Sequence, residues 1–195
     1  MCPHCRALER HRLLWLFLGK HTDLFDGRQK KLLHIAPEFC LEPGLKKAAG
    51  KGYLSADLDE SRAMVRMDIT SIDFPDVSFD VIFCSHVLEH IEDDRKAIGE
   101  IYRVLKKNGW AILMVPVTAD KTIENLSFAT PEERLQVFGQ QDHVRRYGPD
   151  YADRLREAGF EVRTACAGDL ASAAELEKMG LAGCPDTIFH SVKTS

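Results

Sequence analysis

Four polar corners follow apolar runs in this 195-residue chain: His34 to Cys40 (HIAPEFC), Ala56 to Glu60 (ADLDE), Met67 to Thr70 (MDIT) and Cys84 to His90 (CSHVLEH). In a doubly wound sheet ligands lie beyond the carboxyl ends of the strands, so these corners are the places to look for chemistry. Asp57 and Asp59 lie about twenty residues after the first corner, the spacing at which a carboxylate accepts hydrogen bonds from both hydroxyls of a ribose. Asp68 is placed to accept from an adenine amino group, with the Ile69 backbone as donor and its side chain packed on the ring. The same three carboxylates read equally as caps of the turns that follow them, one by one; three in register favour an adenosine reader. His86 and His143 are the candidates for a general base, since histidine titrates near neutrality. Glu89 and His90 read as helix-start residues that hydrogen-bond structure. Arg145 and Arg146 are suited to an acceptor carboxylate or phosphate, or to a solvated loop face.

The elements that must position these residues alternate between short apolar runs and amphipathic helices. LLHIA, PGLKKAA, GYLSADL, VRMDI, DVIFCS, a long helix and WAILMVPV follow one another from Lys31, the rhythm of a parallel sheet. The long helix is expected over Asp93 to Lys107, with Ile98, Ile101, Val104 and Leu105 on one face and Asn108-Gly109 as its stop. An irregular stretch from Pro116 to about Ala129 and the polar segment GQQDHVRRYGPD read as a lid, with a short helix Pro131 to Phe138 between them. A helix from Tyr151 to Ala158, a strand Phe160 to Thr164, a helix Ala173 to Met179 and a strand Thr187 to Val192 close the chain, the two strands pairing at the sheet's edge. Arg6 to Lys20 is a further helix whose apolar run, Leu13 to Leu18, packs on the domain or on a second copy, so a homodimer is an open expectation.

Composition narrows the class. The net charge of −4, from 26 Lys plus Arg against 30 Asp plus Glu, gives no global positive field, which disfavours a general nucleic-acid binder. The longest apolar run is far shorter than the ~20 residues a membrane span needs. Six scattered cysteines do not form the framework of a small secreted domain, and a reducing cytoplasm is the expected compartment. Cys40, Cys84 and Cys166 read as small buried hydrophobes.

Phe79 to Val117 (FDVIFCSHVLEHIEDDRKAIGEIYRVLKKNGWAILMVPV) resembles the fourth strand, following helices and fifth strand of the class I S-adenosylmethionine-dependent methyltransferase family. VLEHIED (Val87 to Asp93) and HVRRYGPDYADRLREAGFEV (His143 to Val162) look like its small-molecule branch, often called type 11. The resemblance runs from about Lys31 to the end. It implies an α/β, Rossmann-like fold with a seven-stranded, mostly parallel sheet whose last strand is antiparallel, and S-adenosylmethionine lying across the ends of strands one to four. The activity implied is methyl transfer to a small or medium-sized acceptor. On this reading Asp57 and neighbouring Leu58 meet the ribose, and Asp68 and Ile69 the adenine. Ser85, His86 and Val87 form a wall, and the Ala36, Pro37 and Glu38 loop holds the methionine end, with the Glu38 carboxylate on the ammonium.

That loop departs from the family, whose pattern is acidic residue, x, Gly, x, Gly, x, Gly; here all three glycine positions carry other residues. One reading is a variant loop stiffened by Pro37. The rival is a loop that has lost the cofactor, leaving a non-catalytic adenosine-binding or scaffold protein. The absence of GxGxxG also counts against a nicotinamide enzyme.

Cys2-Pro3-His4-Cys5 has the spacing of one zinc knuckle, but no second knuckle is present, so no metal ligands are assigned. The organisation expected is an amino-terminal half knuckle and helix over 1–29 and a methyltransferase domain over 30–195. A third function, nucleic-acid modification with the ribbon as docking module, follows if the rest of that ribbon lies upstream.

Overall fold

The computed structural model describes residues 2–125 and 130–194. Its elements run α1 (Glu9–His21), β1 (Leu32–Ile35), α2 (Glu42–Ala49), β2 (Tyr53–Asp57), β3 (Val65–Arg66), β4 (Phe79–Ser85), α3 (Asp94–Val104) and β5 (Leu105–Met114). A lid follows, with β6 (Ile123–Glu124), α4 (Pro131–Phe138) and β7 (Arg145–Arg146), and then α5 (Tyr151–Glu157), β8 (Glu161–Ala165), α6 (Ala167–Leu170), α7 (Ala173–Lys178) and β9 (Ile188–Val192). Seven strands form one sheet in the order β3-β2-β1-β4-β5-β9-β8. The first five are parallel, and β9 runs antiparallel between β5 and β8, as the resemblance implies. Strand order reverses between β1 and β4, and this switch point opens a crevice at their carboxyl ends.

Period-two alternation explains the layering. Leu33, Ile35, Ile82, Cys84, Ala111 and Leu113 point into a core shared with Ile98 and Ile101 of α3 and Leu155 of α5. Leu32, Val81, Phe83, Trp110, Ile112 and Met114 point to the other face, where Leu45 of α2 and Leu13, Leu14, Phe17 and Leu18 of α1 cover them. Helix α1 is therefore part of the same packed unit, each buried leucine contributing about 1.5 to 3 kcal/mol. Its apolar face is covered by its own chain, the first of the two placements expected for it.

The long helix ends earlier than its propensity predicts. Its amino end is capped by the Asp93 side chain on the Lys96 N–H, but Val104 is its last residue and Leu105 is already extended. Leu105 pairs with Phe79 and enters β5, because a buried position in the ladder outweighs one more helical turn. Asn108 takes a positive φ of 60° in the irregularity that follows. Gly109 has no room for a side chain there, since a Cβ would sit 2.8 Å from the Asp80 carbonyl oxygen. The lid helix forms as expected, with Thr130 and Glu133 capping each other's backbone N–H. The short ribbon of β6 with β7 was not expected, and residues 126–129 of the irregular stretch lie outside the described residues. No helix among the described residues is long and apolar enough to cross a membrane.

Candidate active site

The corners converge at the switch point. Ile35, Ala36, Asp57, Leu58, Met67, Asp68, Ile69, Val87 and Ile91 line a hollow of about 70 Å³ at the carboxyl ends of β1 to β4. Six sequence candidates meet there: Ala36, Asp57, Leu58, Asp68, Ile69 and Val87. Pro37, Glu38, Ser85 and His86 do not line it. Its apolar walls include Ile35, Met67 and Ile91, which the sequence reading missed; each is a strand-end or turn apolar residue that reads as core.

Each acidic candidate also caps its own turn. Asp57 Oδ1 accepts from the Asp59 N–H at 3.0 Å, Asp59 Oδ1 from the N–H and hydroxyl of Ser61, and Asp68 Oδ1 from those of Thr70, both at 2.8 Å. Capping therefore holds the Asp57 and Asp68 carboxylates in place at the hollow through Oδ1, while Asp59 caps its turn away from the lining. The hydrogen bonds from Thr70 hold the Asp68 carboxyl below its ordinary range.

The first loop keeps the backbone of a glycine without the glycine. Ala36 sits at φ 47°, in the left-handed region, and its N–H donates to the Ala56 carbonyl at 2.8 Å. Behind it His34 is buried, with Nδ1 3.0 Å from the Tyr53 hydroxyl and Nε2 3.4 Å from the Glu38 N–H. Burial pulls the His34 pKa down to about 4, so the ring is neutral at neutral pH. Glu38 turns toward α1: its Oε1 lies 2.7 Å from His11 Nε2 and 3.2 Å from Arg10 Nη2. Since His11 Nδ1 accepts from the Leu8 N–H, Nε2 carries the proton and donates to Glu38. Glu38 Oε2 is buried with no partner among the described residues. Burial would raise this carboxyl, yet the His11 and Arg10 bonds hold it below its ordinary value.

At the end of β4, His86 also takes a positive φ, 56°, and its Nδ1 lies 3.4 Å from Glu89 Oε1. The lid returns here: the Val144 N–H donates to the Glu89 carbonyl at 2.9 Å, and His143 stacks edge-on against His90 with centroids 4.7 Å apart. Burial and the neighbouring His90 lower the His143 pKa. His143 also lines a second cleft of about 340 Å³ with Pro116, Thr118, Phe138, Gln140 and Arg146. The two candidate bases thus share a neighbour, Glu89, which lies 3.4 Å from His86 Nδ1 and clusters with His143.

Arg145 is not placed to hold an acceptor. It is 1% exposed, and its guanidinium donates to the carbonyls of Leu88, Ile91 and Glu92 and to Glu124. With Arg154, Asp94 and the Tyr147 hydroxyl, 2.6 Å from Asp94 Oδ2, it forms a buried knot that ties the lid ribbon to the start of α3. Arg146 is the lid arginine that reaches the cleft. Two cysteine expectations also change. Cys40 is half-buried with Sγ 3.0 Å from His11 Nδ1, and Cys166 is exposed, with its thiol donating to Asp169; only Cys84 is fully buried, and burial pushes its thiol up. Cys2 and Cys5 do come together, and hydrogen bonds from the Cys5 and His4 backbone lower the Cys2 thiol.

Comparison with known proteins agrees with this geometry. A methyltransferase domain family model matches residues 40–113. The uncharacterised methyltransferase YcgJ of Bacillus subtilis is 48% identical over 113 residues, which cover 56% of this chain and 42% of the relative. A demethylmenaquinone methyltransferase of Bacteroides fragilis is 36% identical over 81 residues, covering 42% and 33%. The chain thus spans less than half of either relative. Among solved structures, an S-adenosylmethionine-dependent methyltransferase of Mesorhizobium loti superposes with a TM-score of 0.60 at 13% identity, covering 84% of this chain and 91% of that one, which supports the fold. The sheet order, the matched segment and the similar relatives together support a class I S-adenosylmethionine-dependent methyltransferase.

Proposed function

We propose that the chain transfers a methyl group from S-adenosylmethionine to a small or medium-sized acceptor. The observation that carries this reading is the hollow at the switch point, where apolar walls suited to a purine meet two carboxylates, Asp57 and Asp68, each fixed by its own turn. The remaining residues fit the rest of the cofactor. The left-handed Ala36 turns the chain under the ligand, and the buried, unpartnered Glu38 Oε2 is an acceptor suited to an ammonium group. The hollow admits only the edge of a purine, so seating the nucleoside displaces Leu58, which is 58% exposed at its rim.

When bound, S-adenosylmethionine supplies an activated methyl on sulfur, and alignment is the protein's main task. Asp57 and Leu58 hold the ribose, Asp68 and Ile69 the adenine, and Ala36, Pro37 and Glu38 the methionine end. Val87, directly after Ser85 and His86, bounds the pocket on the β4 side. His86 and His143 stand where an acceptor proton would leave, and the cleft behind His143 takes the acceptor. The relative that acts on demethylmenaquinone favours a small-molecule acceptor. The second reading, adenosine binding without turnover, is favoured by one observation: the Glu38 charge is already matched by His11 and Arg10.

Calorimetric titration with S-adenosylhomocysteine, with NAD as control, tests the cofactor. Micromolar binding of the former alone is expected; no binding to folded protein removes the proposal. Turnover of bound S-adenosylmethionine with an acceptor panel then separates the two readings.

A further inference from the structure

Glu89, His90 and His143 each present a ligand atom within 4.8 Å of the others, the only such His, Cys and carboxylate group among the described residues. Two of the three are deeply buried, Glu89 at 1% and His143 at 6% exposure. Burying a carboxylate is costly unless both oxygens find partners. Among the described residues Glu89 Oε1 has only His86 Nδ1, at 3.4 Å, and Oε2 is buried with no partner. The His90 ring is held from outside the cluster, its Nδ1 within 3.3 Å of both the carbonyl and the carboxylate of Asp142. A carboxylate behind an imidazole is the arrangement that orients a metal-binding histidine by its other nitrogen. The lid contact from the Val144 N–H to the Glu89 carbonyl fixes the segment carrying His143 against the one carrying the other two.

We propose that Glu89, His90 and His143 bind one divalent transition-metal ion. Two imidazoles and one carboxylate suit zinc, manganese, iron or cobalt, and not magnesium or calcium, which prefer all-oxygen shells. Three protein ligands leave coordination positions open, the pattern of a site that takes a further ligand. His143 belongs both to this group and to the wall of the 340 Å³ cleft, so the ion would adjoin a molecule held in the cleft. The acceptor class is then one with an oxygen able to ligate the ion, such as a phenol, enediol or vicinal diol. This last step rests on the methyltransferase reading; the metal site does not.

The test uses the full chain after chelator treatment, titrated calorimetrically with Zn²⁺ and spectroscopically with Co²⁺. One ion per chain is expected at micromolar affinity or tighter. The Co²⁺ complex should show visible d–d bands without the near-ultraviolet thiolate charge-transfer band that Cys2 and Cys5 would produce. Glu89→Gln and His143→Asn should each weaken binding at least tenfold, while the double variant Cys2→Ser, Cys5→Ser should bind as the parent does. No ion bound, a thiolate band, or binding lost in the cysteine variant and kept in Glu89→Gln overturns the proposal. The thiolate band is read on the parent protein, so the assignment stands even where a buried variant fails to fold. S-adenosylhomocysteine binding measured on the metal-free protein tests the cofactor reading separately.

Discussion

The two halves of the crevice are built differently. On the side of β2 and β3, Asp57, Asp59 and Asp68 are satisfied by residues two positions away, at the surface, by turns that form wherever such sequences occur. On the β4 side, Glu89 and His90 meet Val144 and His143, more than fifty residues on, and His86 Nε2 and Glu89 Oε2 are buried with no partner among the described residues. The carboxylates of the first half are held by their own turns before any ligand arrives. The second depends on the lid's remaining docked, and its unpaired groups store the interactions that a ligand would complete.

The largest effect should come from undoing that docking. Asp94→Ala removes the acceptor shared by Tyr147 and Arg154 and leaves a buried guanidinium short of a partner, with a cost of about 3 to 5 kcal/mol in denaturant-induced unfolding. A loss below 1 kcal/mol would mean that the knot does not hold the lid, and the contrast between the halves would collapse.

Acid should strike the first half through His34. Its pKa is about 4 in the folded chain against an ordinary 6.5, so between these values the unfolded chain takes up a proton that the folded chain refuses. Its contribution is complete above pH 6.5 and fades as pH falls toward 4, by about 3 kcal/mol in all. His190, lowered to about 4 mainly by burial, works in the same direction. Protonating Nε2 also ends its role as acceptor for the Glu38 N–H. Unfolding free energies measured from pH 7 to pH 4.5 should therefore fall less steeply in His34→Gln, and an unchanged slope would remove His34 as the cause.

A smaller effect sharpens the ligand side of the comparison. Asp57→Ala should weaken S-adenosylhomocysteine binding by about 1 to 3 kcal/mol with little change in melting temperature, because its carboxylate is at the surface. Affinity equal to the parent's would take Asp57 out of the site. The smallest concerns the loop backbone: Ala36→Gly relieves a left-handed alanine but loosens the unfolded chain, and should raise stability by up to about 1 kcal/mol. A loss of stability would show that the alanine methyl packs well enough to offset its strained φ.

These contrasts also explain what could be read from the residues alone. The alternation from Lys31 to Met114 marks β1, β2, β4 and α2 within a residue or two, because each is a buried run or an amphipathic turn with its own punctuation. The Asp57, Asp68 and Ile69 positions were legible for the same reason, being fixed by the strand they follow. Lys106 and Lys107 misled, since helix propensity is local and the pairing of Leu105 with Phe79 is not. Arg145 looked like a lid residue free to bind because nothing nearby in sequence shows that Leu88, Ile91 and Glu92 aim carbonyls at it. Glu89 and His90 were read as structural for want of a visible link to His143. Adjacent acid and histidine after β4, with a lone histidine in the lid, was the available signal.

The salt link from α1 to the first loop carries a thermodynamic consequence. On the proposed cofactor reading, His11 and Arg10 share the Glu38 carboxylate with the ligand's ammonium, which would couple the amino-terminal helix to the ligand reciprocally. A ligand whose ammonium draws Glu38 away loosens the anchorage of α1 by the same free energy with which an undocked α1 would alter that ligand's affinity. On that reading the helix is an internal competitor, whose grip would set the threshold concentration at which the crevice fills.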